Sequence, residues 1–420
     1  MTRHVFIIAL TAISSLPANA NWPAWRGANG DGISPETNLP LRWSTNENVR
    51  WRIALPEPGN STPVIWANRI FVTQAVTAGN QRTLMCFDRA DGRLLWQSGI
   101  VVDAAERTYD GTYAGKYNRN PYASASPVTD GGRVVCWFGS GGVVAYDFEG
   151  KELWKTDLGR HDHQFGYGGS PVIHGDRVFL NFGPGASEFL VALDKNTGKE
   201  LWRHTSPEPA KADINGSWST PFIAEWNGET QVVSALRGEF AGLDPATGRL
   251  LWHTPIIGPS SKASPFGAEG IVIVTGSLTG AAEVAVRLGG SGDVTESHVV
   301  WHHKPAKPRV PTGVVRDGLV YCVTSSGIAD CQRLATGEFL WEERLLPPGT
   351  ASDVWSSLML AGDRLYVLSQ SGNTYVFRAA PEFELLAVNA IGERSNSSVA
   401  ASKGDLFLRT HEALWCIGGN

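Results

Sequence analysis

Beyond its first twenty residues the 420-residue chain has no apolar run approaching the roughly 20 residues that cross a bilayer as a helix. It also has no run of Lys or Arg, and its net charge is only −5. The first absence leaves no later candidate for membrane insertion. The second argues against nucleic acid or an anionic membrane surface as the main partner. No G-x-S-x-G, H-E-x-x-H or P-loop pattern occurs, so hydrolase and nucleotide-binding readings lack support. Cysteine is scarce: Cys86, Cys136, Cys322, Cys331 and Cys416 form no CxxC pair. Cys322 and Cys331 flank the SSG turn of YCVTSSGIADC, where a cross-strand disulfide is conceivable. The simpler expectation is five small buried side chains.

What is present begins with an export pattern. Arg3 and His4 form a polar start, Val5 to Leu16 an apolar stretch, and Ala18-Asn19-Ala20 an A-x-A cleavage site. These residues predict a signal peptide cleaved after Ala20 and a periplasmic or secreted protein. The cleavage site is not followed by a cysteine, so no lipid anchor is expected there.

The rest of the chain repeats itself. DRADGRLLWQS (88), DFEGKELWKTD (147), DKNTGKELWRH (194) and DPATGRLLWHT (244) are one phrase, and each belongs to a longer unit. Residues 169–203 show that unit best: GSPVIHGDRVFLNFGPGASEFLVALDKNTGKELWR. A small-Ser-Pro opening starts a short strand, and turn residues separate three more runs rich in Val, Leu, Ile and Phe. The Asp of the last turn can bond nearby backbone N–H groups, and its Gly supplies a positive φ. The same opening recurs as STPVIWANRIFV (61), ASPVTDGGRVVC (125), STPFIAEWNGETQVV (219) and ASPFGAEGIVIV (263). Weaker copies are PTGVVRDGLVYC (311), SSLMLAGDRLYV (356) and SSVAASKGDLFL (397).

Eight repeats of four strands, about 48 residues apart, predict an all-β, eight-bladed propeller; the 3.6-residue periodicity of helical repeats is absent. The eighth repeat lacks a fourth strand, and NVRWRIAL (48–55) has that strand's pattern. An N-terminal strand completing the last blade would close the ring. Trp51, Trp96, Trp154, Trp202, Trp252, Trp301 and Trp341 then share one position of seven outer strands, with Ala387 in the eighth. They read as wedges between blades. The expected organisation is a signal peptide (1–20), an N-terminal arm (21–40) whose Trp22 and Trp25 clasp the ring, and one propeller (41–420).

Over residues 41–420 the chain resembles the PQQ-like β-propeller repeat family, in which D-x-x-TG-x-x-LW is the tryptophan-docking motif. The family includes the propellers of bacterial quinoprotein alcohol dehydrogenases and an outer-membrane assembly lipoprotein that uses such blades without a cofactor. The opening NWPAWRGANGDGIS looks like the leader of secreted propellers described as PQQ-binding-like. The resemblance to the dehydrogenases is incomplete. They carry adjacent cysteines that cap the quinone, and they hold Ca²⁺ with carboxylate and amide ligands beside a catalytic Asp. This chain has no Cys-Cys, no CxxCH haem segment and no assignable acidic cluster. The lipobox cysteine of the assembly lipoprotein is missing too. The expectation is therefore a non-catalytic binding or scaffold propeller with no committed cofactor. The alternative is a PQQ- and Ca²⁺-dependent alcohol or sugar dehydrogenase.

Binding groups in propellers gather in the segments between one blade's fourth strand and the next blade's first. Here those segments carry Tyr117, Arg119, Asn120 and Tyr122, then Arg160, His161, Asp162, His163 and Tyr167. Further round are Asn215 and Trp218, Lys262, Arg309, Asp353 and Trp355, Arg394 and Asn396. Aromatics mixed with Arg, Asn and His could hold an anionic or sugar-like ligand, or a segment of a protein partner, at the channel mouth. His161-x-His163 alone does not make a metal site, because no third ligand can be identified.

Overall fold

A computed structural model of the chain describes residues 21–102, 106–113, 116–207, 215–277, 281–347 and 352–418, and for 111–119 only the backbone. The proposed signal peptide lies outside these residues. Among them no helix is long and apolar enough to cross a membrane.

Each repeat folds as a four-stranded antiparallel sheet. In blade 1 the strands run outward from the axis as Val64–Trp66, Arg69–Val76, Gln81–Asp88 and Leu94–Val101. Blades 2 to 7 follow at 128–156, 172–205, 222–254, 266–303, 314–344 and 359–390. Blade 8 takes three strands from 400–418, and its outer strand is Val49–Ala54, antiparallel to Ala413–Gly418 with Trp51 opposite Cys416. The two ends of the chain thus meet in one sheet, and the ring has no open edge there.

The repeated phrase locks neighbouring blades together. The indole N–H of six of the seven wedges reaches the next blade's outer turn, as Trp51 does to the Arg89 carbonyl at 3.1 Å, Trp154 to Lys195 at 2.8 Å and Trp301 to Leu334 at 2.8 Å. The turn's glycine packs beneath the same indole. A Cβ on Gly198 would lie 2.5 Å from the Trp154 ring, and φ there is +73°, so both space and backbone demand glycine. The turn's aspartate works locally. Asp194 accepts from the Asn196 and Thr197 backbone N–H groups and from the Thr197 hydroxyl, whose bond helps hold its carboxyl below the usual range.

Across the ladder each wedge faces a small residue, as Trp202 faces Ala192 and Trp341 faces Cys331. Blade 4 departs from the docking pattern. Trp252 is fully buried and donates to Gln231 Oε1 at 2.7 Å within its own blade. Blade 5 has RLGGSGDVTESH where the others have the turn phrase, and Gly292–Asp293 pairs in parallel with Trp252 and His253 as a fifth strand. That strand extends the outer edge of blade 4, and Leu288 and Val294 of the same segment pack in the core cluster that holds Trp252.

All five cysteines are free and buried. The hairpin register sets Tyr321 opposite Cys331 and Cys322 opposite Asp330, so the two thiols point to opposite faces of the sheet and cannot bond.

Candidate functional site

The small-Ser-Pro openings meet around the axis. The backbone N–H of Thr62 donates to Ser126 Oγ (2.8 Å), Ser126 to Ser170 (3.0 Å), Ser170 to Thr220 (2.9 Å) and Thr220 to Ser264 (2.8 Å). The series continues from Ser264 to Thr312 (3.0 Å), Thr312 to Ser357 (2.9 Å), Ser357 to Ser398 (2.9 Å) and Ser398 back to Thr62 (3.1 Å). Eight blades are joined in a closed circuit of N–H···O bonds. Each hydroxyl accepts one N–H, and among the described residues none of the eight finds an acceptor for its own proton. All eight residues are buried.

The N-terminal arm covers the far end of the channel. Trp22 exchanges backbone hydrogen bonds with Ile65 of blade 1, and the Pro23 carbonyl accepts from Thr129 of blade 2. Ile33–Ser34 then pairs in parallel with Leu360–Ala361 of blade 7, and the Glu36 carboxylate takes the Lys403 and Gly404 N–H groups of blade 8. These partners lie towards the far ends of the innermost strands or in the turns after them, so the arm crosses below the hydroxyl circuit. Arg26 is the pin. Its guanidinium, buried among blades 6 and 7, donates to the carbonyls of Thr312, Gly313, Leu358 and Asp31, and burial lowers its pKa to about 10.

Between arm and mouth lies a cup of about 290 Å³. Trp25 of the arm and seven circuit hydroxyl residues line its depth; Thr312 is the one set back. Tyr109, Phe165, Trp218 and Trp355 line the rim with Asn60, Asn120, Ser124, Asn396 and Lys262. A hairpin, Tyr109–Tyr113 with Lys116–Asn120, carries Tyr109 to the rim, where its ring meets Phe165 edge-on at 5.0 Å. Trp218 is fixed by its indole N–H to the Gly166 carbonyl (3.0 Å) and by the edge of His163 (5.0 Å). Lys262 is exposed at the mouth, yet the surrounding protein desolvates its ammonium enough to lower its pKa, and no acid contributes.

The loop residues expected from sequence thus divide. Asn120, Trp218, Lys262, Trp355 and Asn396 line the cup. Asn120 also braces it, donating to the Phe165 and Tyr167 carbonyls. Tyr122, His161, His163 and Tyr167 support it from behind. Arg82 stacks over Tyr122 at 3.8 Å, Tyr167 donates to the Tyr122 carbonyl, and His161 is buried among Trp137, Tyr167 and Phe182. Burial lowers the His161 pKa and favours the neutral ring.

Arg309 is not a ligand group. It is buried between Glu283 (3.3 Å) and Asp330 (2.8 Å). Asn215, Asp353 and Arg394 do not line the cup; backbone bonds tie Asp353 to Gln370 and Arg394 to His411. Arg160 and Asp162 are also absent from its walls, and Asp162 pairs with Arg107 at 2.9 Å. Arg119 stands opposite Asp110 in the rim hairpin, and its side chain, like that of Tyr117, lies outside what is described. Sequence reasoning missed Trp25, Tyr109, Phe165 and the hydroxyl circuit. The circuit left a signal, a Ser or Thr at one register of all eight repeats, which reads in sequence only as a strand opening.

The donor set can be tested against Ca²⁺, which takes six to eight oxygen ligands, carboxylates prominent among them. Among the described residues no carboxylate lines the cup, and no group of three or more His, Cys, Asp or Glu could hold a metal ion. The cup does not fit that ion.

Comparison with known proteins places the chain among relatives of both kinds. It is 26% identical to a polyvinylalcohol dehydrogenase of a Pseudomonas species over 275 residues, 55% of this chain and 40% of that protein. It is 22% identical to the outer membrane protein assembly factor BamB of Yersinia pestis over 273 residues, 60% of this chain and 62% of that one. The chain therefore spans less than two thirds of either relative. Among solved structures, quinohemoprotein alcohol dehydrogenase from Comamonas testosteroni superposes with a TM-score of 0.67 at 12% identity, covering 96% of this chain and 82% of that one. BamB from Moraxella catarrhalis gives 0.61 at 13%, covering 87% and 98%. These likenesses are of fold. The family model described as outer membrane protein assembly factor BamB matches residues 43–179, 82–264 and 186–418, and the chain belongs to this PQQ-like propeller family.

Proposed function

We propose that the protein is an exported, non-catalytic binding propeller whose ligand site is the cup above the N-terminal arm. One observation carries the reading: the cup combines a stacking rim, Trp218 and Trp355 with Tyr109 and Phe165, with a wall of hydroxyl donors and, among the described residues, no lining carboxylate. Such a pocket can hold and orient a ring-shaped ligand. Its described lining offers no carboxylate to serve as general base. Relatives named for assembly as well as for oxidation are compatible with a propeller that only binds.

The alternative, oxidation of an alcohol or sugar with PQQ and Ca²⁺, draws on the dehydrogenase relatives but meets a donor set that does not suit the metal. The deciding experiment is a calorimetric titration of the mature protein with quinone, with and without Ca²⁺, alongside a dye-linked oxidation assay. A binding propeller is expected to show neither Ca²⁺-dependent uptake nor turnover; uptake or turnover would reverse the assignment.

A further inference from the structure

We infer that the cup is a metal-free site for a compact organic carboxylate built on a ring, of the uronic-acid class. The inference rests on the cup being a binding site and adds what it binds.

The argument is a count of donors and acceptors. Each circuit hydroxyl has already accepted a backbone N–H, and each retains one proton without an acceptor among the described residues. These residues are more than nine-tenths buried, and all but Thr312 line the cup. A buried donor is costly without an acceptor. Lys262 adds an ammonium at the mouth, and among the described residues no carboxylate lines the cup to neutralise it. Asn120 has spent its amide on the Phe165 and Tyr167 carbonyls. The cup is therefore rich in donors and poor in strong acceptors.

A neutral sugar asks for both, because every hydroxyl it presents brings a proton; a uronate exchanges one of those hydroxyls for two carboxylate oxygens that only accept. An anion with several oxygens asks mainly for donors, and charge-assisted bonds to such groups are the stronger kind. Inorganic phosphate would meet the donors but leave the aromatic rim without a partner. A ring body fits between Trp25 below and the indoles of Trp218 and Trp355 at the rim, and about 290 Å³ matches a small ligand.

The test uses the intact mature protein in EDTA, followed by tryptophan fluorescence and calorimetry. The probes are glucuronate, galacturonate, glucose and inorganic phosphate. At least one uronate is expected to bind about tenfold more tightly than glucose or phosphate, and Lys262→Gln should weaken it about tenfold, the scale of one charge-assisted bond. Trp355→Ala, at the rim, should weaken the uronate and leave phosphate unaffected.

Glucose binding as tightly as both uronates, with loss in Trp355→Ala, would overturn the anion assignment while leaving the cup a binding site. If no probe binds, the ligand class is wrong. If, in addition, Lys262→Trp, which crowds the mouth from an exposed position and whose folding is checked by circular dichroism, leaves recovery of every partner unchanged, the binding reading fails with it.

Discussion

Ala387 faces Val376 across the outer ladder of blade 7, the reverse of the arrangement in the other blades, where a tryptophan faces Gly, Ala or Cys. The pair is smaller than a tryptophan with its small partner, and the cause is topological. A wedge on blade 7 would dock on the turn between the third and fourth strands of blade 8, and the chain has no such turn, because those strands come from opposite ends. Instead the segment before the closing strand runs there. Asn389 holds the Leu41 carbonyl and the Trp43 N–H, and Trp43 is buried in the cluster that contains Ala387. Ala387→Trp is therefore expected to destabilise by about 1–3 kcal/mol through overpacking. Val376→Ala in the same chain should recover part of that loss, as thermal unfolding would report.

A wedge with a turn beneath it should behave differently. Trp301 is 7% exposed and bonded to Leu334. Trp301→Ala should cost about 3–5 kcal/mol, read from denaturant unfolding, whereas the surface indole of Trp226 should cost much less.

Closure can be separated from the arm. Deleting 21–57 removes the strand that pairs with Ala413–Gly418 and should abolish cooperative folding. Deleting only 21–40 leaves that strand in place. It should give a folded ring with a lower melting temperature, visible by circular dichroism, and altered ligand binding, since Trp25 and Arg26 go with it.

The hydroxyl circuit makes a sharp prediction at one atom. Ser170→Ala leaves the buried Ser126 N–H without its acceptor and should cost about 1–3 kcal/mol. Ser170→Thr keeps the oxygen at a register where Thr62, Thr220 and Thr312 already occur, and should be nearly neutral in the same urea titration.

Stability should also fall on the acid side. His161 is held neutral because burial lowers its pKa, whereas the unfolded chain takes up a proton below about pH 6.5. The native contribution is complete above that value and is lost as pH falls below it, by up to about 1.4 kcal/mol per pH unit. His161→Gln should flatten this limb of the stability–pH curve.

The propeller was legible in the chain because its signals are local and repeated eight times: turn chemistry, short strands and one wedge per blade. Closure was legible because Val49–Ala54 carries the pattern of a strand the last repeat lacks. The cup was only half legible. Trp218 and Trp355 stand out by type, but nothing periodic in a loop says whether a side chain points to the axis, as Lys262 does, or into the wall, as Arg309 and Tyr167 do. Trp252 followed the motif and yet docks differently, because a segment some forty residues later replaces the turn phrase, pairs with its strand and packs against it. The circuit joins residues in successive blades, a relationship that no single repeat contains.

That circuit sets the calibre of the channel. Widening it at any one blade would break two bonds of the hoop, so the opening does not adjust to its guest, and a molecule of the wrong girth is refused rather than accommodated. Changes of ligand among chains built this way would have to arise in the rim loops, while the hoop stays the same gauge.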